Sequence, residues 1–209
     1  MKEDIRPLKS KLREYYRTLR QNIPSDAKEK QDSQITQRVT GLWQYRKSRL
    51  ILTYVSTNYE VDTKELIKSA LADGKQVAVP RCIDGTHQME FFRITGLHEL
   101  FPGAFGVLEP APQAGRKVTN YTNSLCLVPA LCYDWKGYRL GYGKGYYDRF
   151  LDGYHGTIAG IAYSSCVRRS LPHGRFDRPV ELLVTERYIR RNSRRINYEY
   201  KVEAINSNI

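Results

Sequence analysis

The sequence predicts an α/β fold, a single three-layer domain whose largely parallel central sheet is flanked by helices. Residues 49–55 (RLILTYV) and 76–80 (QVAVP) are apolar and rich in β-branched side chains, which indicates buried strands. The segment between them has the apolar spacing of a helix, so the three pieces form a β-α-β unit with parallel strands. With 209 residues and 41% hydrophobic content, the chain is long enough for one well-buried domain and short for two.

Two helices are predicted ahead of the first strand. Pro24 ends the first helix, and Ser25 is the expected N-cap of the second, which directs Ile35, Val39 and Leu42 to one face. The first helix is predicted to be amphipathic because its apolar side chains recur at helical spacing. Those side chains are Ile5, Leu8, Leu12, Tyr15, Tyr16 and Leu19.

The helix of the β-α-β unit and the remaining strands follow in order. Asp62 and Glu65 have the spacing of a capping box at the start of this helix, and Gly74 is its expected end. A loop is expected at residues 134–145, followed by a helix at residues 146–151. Further strands are predicted at residues 89–94, 125–129, 158–162 and 182–185.

The excess of basic residues concentrates partly at the end of the chain. The formal net charge is +12 at pH 7, which favours phosphates, polyglutamate chains, nucleic acid or acidic lipid without choosing among them. Residues 1–190 are predicted to form the domain, and residues 191–209 a basic and polar tail. The arginines around this boundary are Arg187, Arg190, Arg191, Arg194 and Arg195.

Cysteine spacing and hydropathy argue against a zinc site, a secretory signal and a membrane span. The four cysteines form no C-x-x-C pair and have no histidine at zinc-site spacing, so they are expected to be reduced and structural. Reduced cysteines are typical of the cytosol. The charged N-terminus has no apolar signal core, and no run approaches the ~18 apolar residues of a membrane span. A cytoplasmic protein without a membrane partner is therefore predicted.

A glycine-rich segment between a strand and a helix carries the clearest sign of chemistry. Its glycines are Gly137, Gly141, Gly143 and Gly145. Glycine permits positive φ and lets backbone N–H groups approach an anion, while Arg139 and Lys144 add positive charge. The helix that follows would add its positive N-terminal end. The favoured interpretation is phosphate binding, and the alternative is a glycine-rich turn without a ligand.

Two familiar phosphate-binding motifs do not fit this segment. The P-loop requires Ser or Thr after its lysine, whereas Lys144 is followed by Gly145. The dinucleotide-binding motif requires a third glycine at the position that Tyr146 occupies. If the segment binds phosphate, it therefore does so with a different arrangement.

Charged side chains outside the glycines complete the candidate site. Asp148, just beyond the segment, is well placed to bind Mg²⁺ with phosphate oxygens, or alternatively complements a helix dipole as a first-turn acid. Lys9 and Arg13 are spaced i, i+4 and therefore project from one helix face. They are candidates for binding an anion, and the alternative is that they form a solvated basic face. Glu60 follows the first strand, where open α/β sheets bind ligands, although a capping or surface role fits equally well.

Residues 139–148, RLGYGKGYYD, closely resemble the signature of the 5-formyltetrahydrofolate cyclo-ligase family. Other pieces occur in the family's order, and the resemblance extends over about residues 5–186. These pieces are Lys9-x-x-x-Arg13, the strand followed by Glu60, Val79-Pro80-Arg81, Gly106-x-x-Glu109-Pro110 and Leu127-Val128-Pro129. The resemblance implies an enzyme that converts 5-formyltetrahydrofolate into 5,10-methenyltetrahydrofolate with ATP and Mg²⁺.

The resemblance also implies a role for each matching residue. The implied ATP-binding residues are Lys9, Arg13, Arg139, Gly141, Gly143, Lys144, Gly145, Tyr146 and Tyr147. The implied catalytic residues among them are Arg139, Lys144 and Tyr146. Val55, Glu60 and Tyr142 would bind the folate. Asp148 would bind the metal together with Glu181, which stands where the family has Asp.

The family's reaction suits these residue types. ATP phosphorylates the formyl oxygen, a neighbouring amine nitrogen attacks the activated carbon, and phosphate leaves as the ring closes. Such a transfer depends on positioning and charge neutralisation more than on a covalent nucleophile. The basic surface favours anionic substrates, including polyglutamylated folate, and the enzyme needs no nucleic acid. Two alternatives remain: another ATP-dependent small-molecule enzyme on this fold, and a nucleic-acid-binding protein that uses the basic tail.

Overall fold

The computed structural model describes residues 4–103 and 106–192, and its helices lie close to where the periodicity predicts them. The α-helices of these residues are α1 (Arg6–Gln21), α2 (Ser25–Gly41), α3 (Trp43–Lys47), α4 (Lys64–Ala72) and α5 (Tyr146–Asp152). Pro7 lies in the first turn of α1, where its missing N–H leaves no hydrogen bond unmade. Pro24 occupies the N-cap position of α2, so the N-cap role predicted for Ser25 is wrong.

Most strands lie close to their predicted positions, and short ones are added. In the same residues the strands are β1 (Leu50–Leu52), β2 (Gln76–Cys82), β3 (Met89–Ile94), β4 (Leu100–Pro102), β5 (Leu108–Pro110), β6 (Ser124–Val128), β7 (Cys132–Asp134), β8 (Arg139–Leu140), β9 (Thr157–Ile161), β10 (Val167–Arg168), β11 (Leu182–Val184) and β12 (Ile189–Arg191). Seven of them form the central sheet in the order β12-β11-β9-β6-β1-β2-β3. Its five inner strands are parallel and its two edge strands antiparallel, so the predicted largely parallel sheet is confirmed.

The sheet separates two apolar cores, which gives the predicted three layers. Ile51 of β1 points to one face, and its neighbours Leu50 and Leu52 point to the other, as the period of a strand requires. Helices α1, α2 and α4 bury side chains against the first face. Helix α5 and the segment after it cover the second face.

A hairpin interrupts the loop that was predicted at residues 134–145. Strands β7 and β8 pair antiparallel, and β10 adds to β7 in parallel. The turn of the hairpin contains Gly137, whose carbonyl accepts a 2.9 Å hydrogen bond from the Val180 N–H. Gly137 therefore belongs to the hairpin, and the glycine loop proper is residues 141–145, directly before α5.

Two local details of the helices differ from their predictions. On α1, Tyr16 is buried but Leu8 and Tyr15 are exposed, so its inward face is narrower than the apolar pattern indicates. The capping box of α4 is absent, because Asp62 Oδ1 accepts hydrogen bonds from the Lys64 N–H at 3.1 Å and from the Ser56 hydroxyl at 2.6 Å. Asp62 therefore connects α4 to the loop after β1.

The predicted start of the tail contributes a strand to the central sheet. Strand β12 pairs antiparallel with β11 and crosses the predicted boundary between residues 190 and 191. The Asn192 N–H then donates a 2.7 Å hydrogen bond to the Glu181 carbonyl. Arg194 and Arg195 lie outside the described residues, and the division into a domain and a tail stays a prediction.

Gly160 of β9 leaves room for Tyr133, a fully buried residue of the hairpin. A Cβ at Gly160 would lie 2.5 Å from the Tyr133 ring. We expect Gly160→Ala to lower the free energy of unfolding by about 1–3 kcal/mol, the usual range for an overpacked core. Chemical denaturation measures this, with Gly153→Ala as control, since a Cβ there meets nothing within 4 Å. Equal stability of the two variants would contradict this account of how the hairpin packs on the sheet.

Candidate active site

The candidate site lies at the carboxyl ends of the parallel strands, where open α/β sheets bind ligands. Two segments meet there: the loop after β1, which carries Glu60, and the glycine loop of residues 141–145. The Tyr142 hydroxyl donates a 2.6 Å hydrogen bond to Glu60 Oε1 and so joins the two segments. The sequence pointed to each segment separately, and the structure brings them into contact.

Glu60 is held in a single orientation by its neighbours. Its side chain is buried, and its Oε2 accepts hydrogen bonds from the N–H and hydroxyl of Thr57 at 2.9 and 3.0 Å. Its N–H donates to the Thr57 carbonyl at 3.2 Å, and its carbonyl accepts from the Tyr163 hydroxyl at 3.1 Å. A carboxylate has about four lone-pair positions, so Glu60 Oε1 keeps one for a further donor.

Tyr142 combines an exposed ring with a hydroxyl that faces Glu60. The residue as a whole is 45% exposed. Burial of the hydroxyl end and, second, the charge of Glu60 raise the pKa of Tyr142. The hydroxyl therefore stays protonated at physiological pH and donates to Glu60. An exposed ring beside a fixed carboxylate is a suitable surface for an aromatic ligand.

Helix α1 presents two cations toward the site. Arg13 Nε donates a 2.9 Å hydrogen bond to the Gly141 carbonyl. The Arg13 guanidinium lies against Gly143, whose φ of 102° requires glycine. Lys9, one turn earlier, forms a 2.7 Å ion pair with Asp177. Arg13 thus borders the glycine loop, and Lys9 contacts a segment that the sequence did not connect with the site.

Arg139 and Asp148 form an ion pair across the glycine loop. Arg139 Nη2 lies 2.6 Å from Asp148 Oδ1, and Arg139 Nη1 donates a 2.7 Å hydrogen bond to the Arg178 carbonyl. The Arg139 side chain is only 4% exposed, against 28% for Asp148. The contact of Arg139 with ATP stays a prediction, because its observed hydrogen bonds are to protein groups and position Asp148.

Asp148 retains one carboxylate oxygen for a cation. Its Oδ1 accepts from Arg139 and from the Arg178 N–H at 3.4 Å, whereas its Oδ2 has no hydrogen bond within the described residues. In residues 4–103 and 106–192, no three His, Cys, Asp or Glu side chains gather as ligands for a metal ion. This arrangement fits Mg²⁺, which one or two carboxylates commonly bind together with phosphate oxygens and water.

Glu181, the second predicted metal ligand, lies at the amino end of β11. Its Oε1 accepts a 3.2 Å hydrogen bond from the Ile158 N–H. Its backbone N–H donates to the Ile158 carbonyl at 3.0 Å. These contacts connect β11 with β9, and the role of Glu181 as a metal ligand stays a prediction.

The end of the glycine loop and the first residues of α5 differ in exposure. Lys144 is exposed, and Gly145 has a φ of 74° as the residue before α5. The Tyr146 hydroxyl donates a 3.3 Å hydrogen bond to the Thr86 carbonyl, in the loop between β2 and β3. The Tyr147 hydroxyl is buried without a hydrogen-bond partner in the part of the chain described. Such an unpaired buried hydroxyl calls for a partner, such as water or a ligand.

Two other residues near the site, Val55 and Arg20, are buried below its surface. Val55, predicted to bind folate, is buried in the apolar core and offers little surface to a ligand. Arg20 is also buried, and its guanidinium donates a hydrogen bond to the Ala130 carbonyl after β6. Its spacing of seven residues from Arg13 places it on the same helix face, which is a signal that the sequence contained.

Side chains outside the site have structural explanations. All four cysteines are free, and burial raises the pKa of Cys132 to about 12, so it stays a neutral thiol. Arg190 donates a 2.8 Å hydrogen bond to the Trp135 carbonyl, and its guanidinium lies 5.6 Å from the centre of that ring. Across residues 4–103 and 106–192, none of the helices has both the length and the apolarity that crossing a membrane demands.

Comparison with known proteins gives consistent results. Residues 5–186 match the model of the 5-formyltetrahydrofolate cyclo-ligase family. A Caenorhabditis elegans protein named probable 5-formyltetrahydrofolate cyclo-ligase is 30% identical, over 72% of this chain and 76% of its own. The 5-formyltetrahydrofolate cyclo-ligase of Mus musculus is 32% identical, over 70% and 72% respectively. The NMR structure of Aquifex aeolicus 5,10-methenyltetrahydrofolate synthetase has a TM-score of 0.78 at 31% identity, and 92% and 98% of the two chains are covered.

Proposed function

The chain belongs to the 5-formyltetrahydrofolate cyclo-ligase family, and from this premise we propose the reaction that its site supports. The enzyme converts 5-formyltetrahydrofolate, with or without a polyglutamate chain, into 5,10-methenyltetrahydrofolate. It consumes ATP in the presence of Mg²⁺ and releases ADP and phosphate. We place this activity in the cytoplasm.

The main support is that two consecutive residues of the glycine loop contact groups of opposite charge. The Gly141 carbonyl accepts from Arg13, and the Tyr142 hydroxyl donates to Glu60. In our proposal the phosphates bind on the Arg13 side and the folate on the Glu60 side. The two substrates are then neighbours along one short loop, and transfer of a phosphoryl group to the formyl oxygen requires this closeness.

The nucleotide side of the loop fits phosphate groups. Lys9, Arg13 and Lys144 supply positive charge. Gly143 and Gly145 have positive φ angles, a conformation that lets backbone N–H groups face an anion in anion-binding loops. We propose that a phosphate oxygen replaces Asp177 as the partner of Lys9 when ATP binds. Because α5 has only seven residues, the site depends on these cations more than on the helix dipole.

The metal and the acid that would hold it belong to the same side. Asp148 would bind Mg²⁺ through Oδ2, while Arg139 fixes the carboxylate from its other oxygen. Bound Mg²⁺ neutralises charge on the transferring phosphoryl group.

The folate side of the loop fits an aromatic ring with N–H donors. The remaining lone pair of Glu60 Oε1 accepts a hydrogen bond from the pterin, and the exposed ring of Tyr142 lines the pocket. Both groups are fixed before the ligand arrives, which lowers the entropic cost of binding. Tyr147, predicted to bind ATP, follows Tyr146 in the first turn of α5, and its contact with the nucleotide remains part of the proposal.

The reaction requires two displacements. First the formyl oxygen attacks the γ-phosphorus and the bond to ADP breaks. Then the N10 nitrogen attacks the formyl carbon, the bond from this carbon to the phosphorylated oxygen breaks, and N10 loses its proton to solvent. Arg13, Lys144 and the loop N–H groups stabilise the negative charge of the phosphoryl group throughout. Tyr146, the first residue of α5 after the glycine loop, faces the formyl end in this proposal.

A single assay tests the proposal. Purified protein is mixed with 5-formyltetrahydrofolate, ATP and Mg²⁺, and the near-ultraviolet absorbance of the methenyl product is followed. We expect this band to grow, and omission of either ATP or Mg²⁺ to abolish it. Folded protein that binds ATP without forming the band would instead favour another ATP-dependent enzyme on this fold. Salt-dependent binding of nucleic acid without turnover would favour the basic tail as the functional part.

A further inference from the structure

A buried hydrogen-bond chain connects Glu60 with helix α2, outside the site described above. Asp32 of α2 is buried, and its Oδ1 accepts hydrogen bonds from the Tyr163 hydroxyl at 2.8 Å and the Asp62 N–H at 3.1 Å. The Tyr163 hydroxyl has one proton, and it shares this proton with the Glu60 carbonyl, 3.1 Å away, in a three-centre hydrogen bond. One carboxylate thus fixes the chain two residues after Glu60 and the tyrosine that contacts Glu60 itself.

This series of hydrogen bonds joins three parts of the fold at the carboxyl edge of the sheet. Asp32 comes from α2, Asp62 from the loop after β1, and Tyr163 from the segment after β9. Lys28 pairs with Asp32 Oδ2 at 2.6 Å and supplies the countercharge. Burial and, second, the charge of Asp32 raise the pKa of Tyr163, so its hydroxyl is always a donor at physiological pH.

Attachment of α2 to the sheet does not require these polar groups. Ile35 and Val39 of the same helix already pack in the core. Buried hydrogen-bonded pairs often contribute little more stability than apolar groups of the same shape, because both partners must lose water. What the polar chain adds is direction, since it fixes the backbone of residues 60–62 from which the Glu60 carboxylate projects.

We propose that Asp32 and Tyr163 are positioning residues that fix Glu60 for the folate substrate. This inference rests on the function proposed above. Neither residue touches the substrate, and both act through the backbone on either side of the Glu60 side chain. The expected effect is selective for folate, because the cations of the nucleotide side contact Gly141 and Asp177 instead.

Removal of the Tyr163 hydroxyl tests the proposal. We expect Tyr163→Phe to raise the KM for 5-formyltetrahydrofolate about tenfold, the effect of one well-placed hydrogen bond. The KM for ATP should change by less than about twofold, as expected for a residue remote from that substrate. Asp32→Asn, which weakens the hydrogen bond from the Tyr163 hydroxyl at its acceptor end, should likewise raise the KM for 5-formyltetrahydrofolate and leave the KM for ATP within about twofold of wild type. Initial rates of methenyl formation, with each substrate varied in turn, give these values.

Tyr45→Phe is the matched control. Tyr45 is equally buried, and its hydroxyl donates a 2.6 Å hydrogen bond to Asp73, ahead of the amino ends of β1 and β2. Its loss should lower the unfolding temperature about as much as Tyr163→Phe and leave both KM values unchanged. The comparison separates a positioning role from a general loss of stability.

A double variant gives the decisive comparison. In a protein that already carries Glu60→Gln, adding Tyr163→Phe should lower kcat/KM for folate by less than about a further twofold. The reason is that Tyr163 acts through Glu60, whose function is already lost. If the losses in kcat/KM of the two single variants added up in the double variant, the inference would be wrong, although the proposed function would stand. The same holds if Tyr163→Phe matched Tyr45→Phe in both KM values. A folded wild-type enzyme without activity would overturn the proposed function and this inference with it.

Discussion

Asp148→Asn is expected to lower turnover by about a hundredfold or more, the usual effect of losing one charge-stabilising group. It should also raise the Mg²⁺ concentration needed for half-maximal rate. The amide can keep its oxygen as the acceptor for Arg139 and for the Arg178 N–H, but it replaces Oδ2 by a donor. The cation therefore loses its carboxylate ligand while the hydrogen bonds at Oδ1 still form. Initial rates across a Mg²⁺ titration measure both effects.

Asp152→Asn is the control for this prediction. Asp152 lies one turn later on α5 and pairs with the Arg178 side chain, with 63% of its own side chain exposed. Exposed ion pairs contribute little to stability, so this variant should keep the wild-type rate and Mg²⁺ dependence. If Asp148→Asn lost stability but kept the wild-type Mg²⁺ dependence, Asp148 would serve only as the counterion of Arg139, and its assignment to the metal would be wrong.

The parts of the fold that were predictable from the sequence are those with local periodic signals. The β-α-β unit is visible because two apolar runs enclose a helical pattern, and parallel pairing follows from that order. Strands β8 (RL) and β12 (IRR) have two and three residues and contain arginines, so they lack the apolar run that indicates the equally short β1 and β11. Such short strands form because a neighbouring strand offers hydrogen-bonding groups, which the local sequence does not reveal.

Arg139 shows how much charge and position in the sequence leave open about a side chain's contacts. An arginine inside a glycine-rich segment is a natural phosphate ligand by sequence, and only the fold shows that its guanidinium is buried against Asp148 and Arg178. The hairpin of β7 and β8 causes this difference, because it directs Arg139 inward before the glycine loop begins. Phosphate contacts in the proposal therefore fall to side chains that face the loop, above all Arg13.

The contacts that fix Glu60 show a second limit of sequence reasoning. Tyr163 and Asp32 are 131 positions apart in the chain, and Tyr142 and Glu60 are 82 apart. No spacing rule connects residues so distant, and Asp32 sits in α2 without any feature that distinguishes it from a surface acid. Glu60 itself was predictable because strand ends are common ligand sites, whereas its positioning residues needed the tertiary structure.

Glu60→Gln is expected to lower kcat/KM for 5-formyltetrahydrofolate by about a hundredfold, with the KM for ATP within about twofold of wild type. The amide has one oxygen, and the N–H and hydroxyl of Thr57 require it as their acceptor. The NH₂ group must then face Tyr142 and the folate. A donor then replaces the acceptor that the pterin needs, so two donors face each other and folate binding is weakened. ATP binding is not affected, because ATP does not contact Glu60 in this proposal. Initial rates with each substrate varied in turn measure the two constants.

Glu99→Gln is the control, because Glu99 also accepts hydrogen bonds from the N–H and hydroxyl of a nearby threonine, away from the site. Its Oε2 accepts from the Thr95 N–H and its Oε1 from the Thr95 hydroxyl, both at 2.9 Å, after the end of β3. Arg116 pairs with the same carboxylate at 2.6 Å. The variant should leave both KM values unchanged, since it disturbs an equivalent turn without a ligand nearby. If Glu60→Gln raised the KM for ATP as much as that for folate, Glu60 would act on the nucleotide side. The division of the glycine loop between Arg13 and Glu60 would then be wrong, because the two substrates could not lie on its opposite sides.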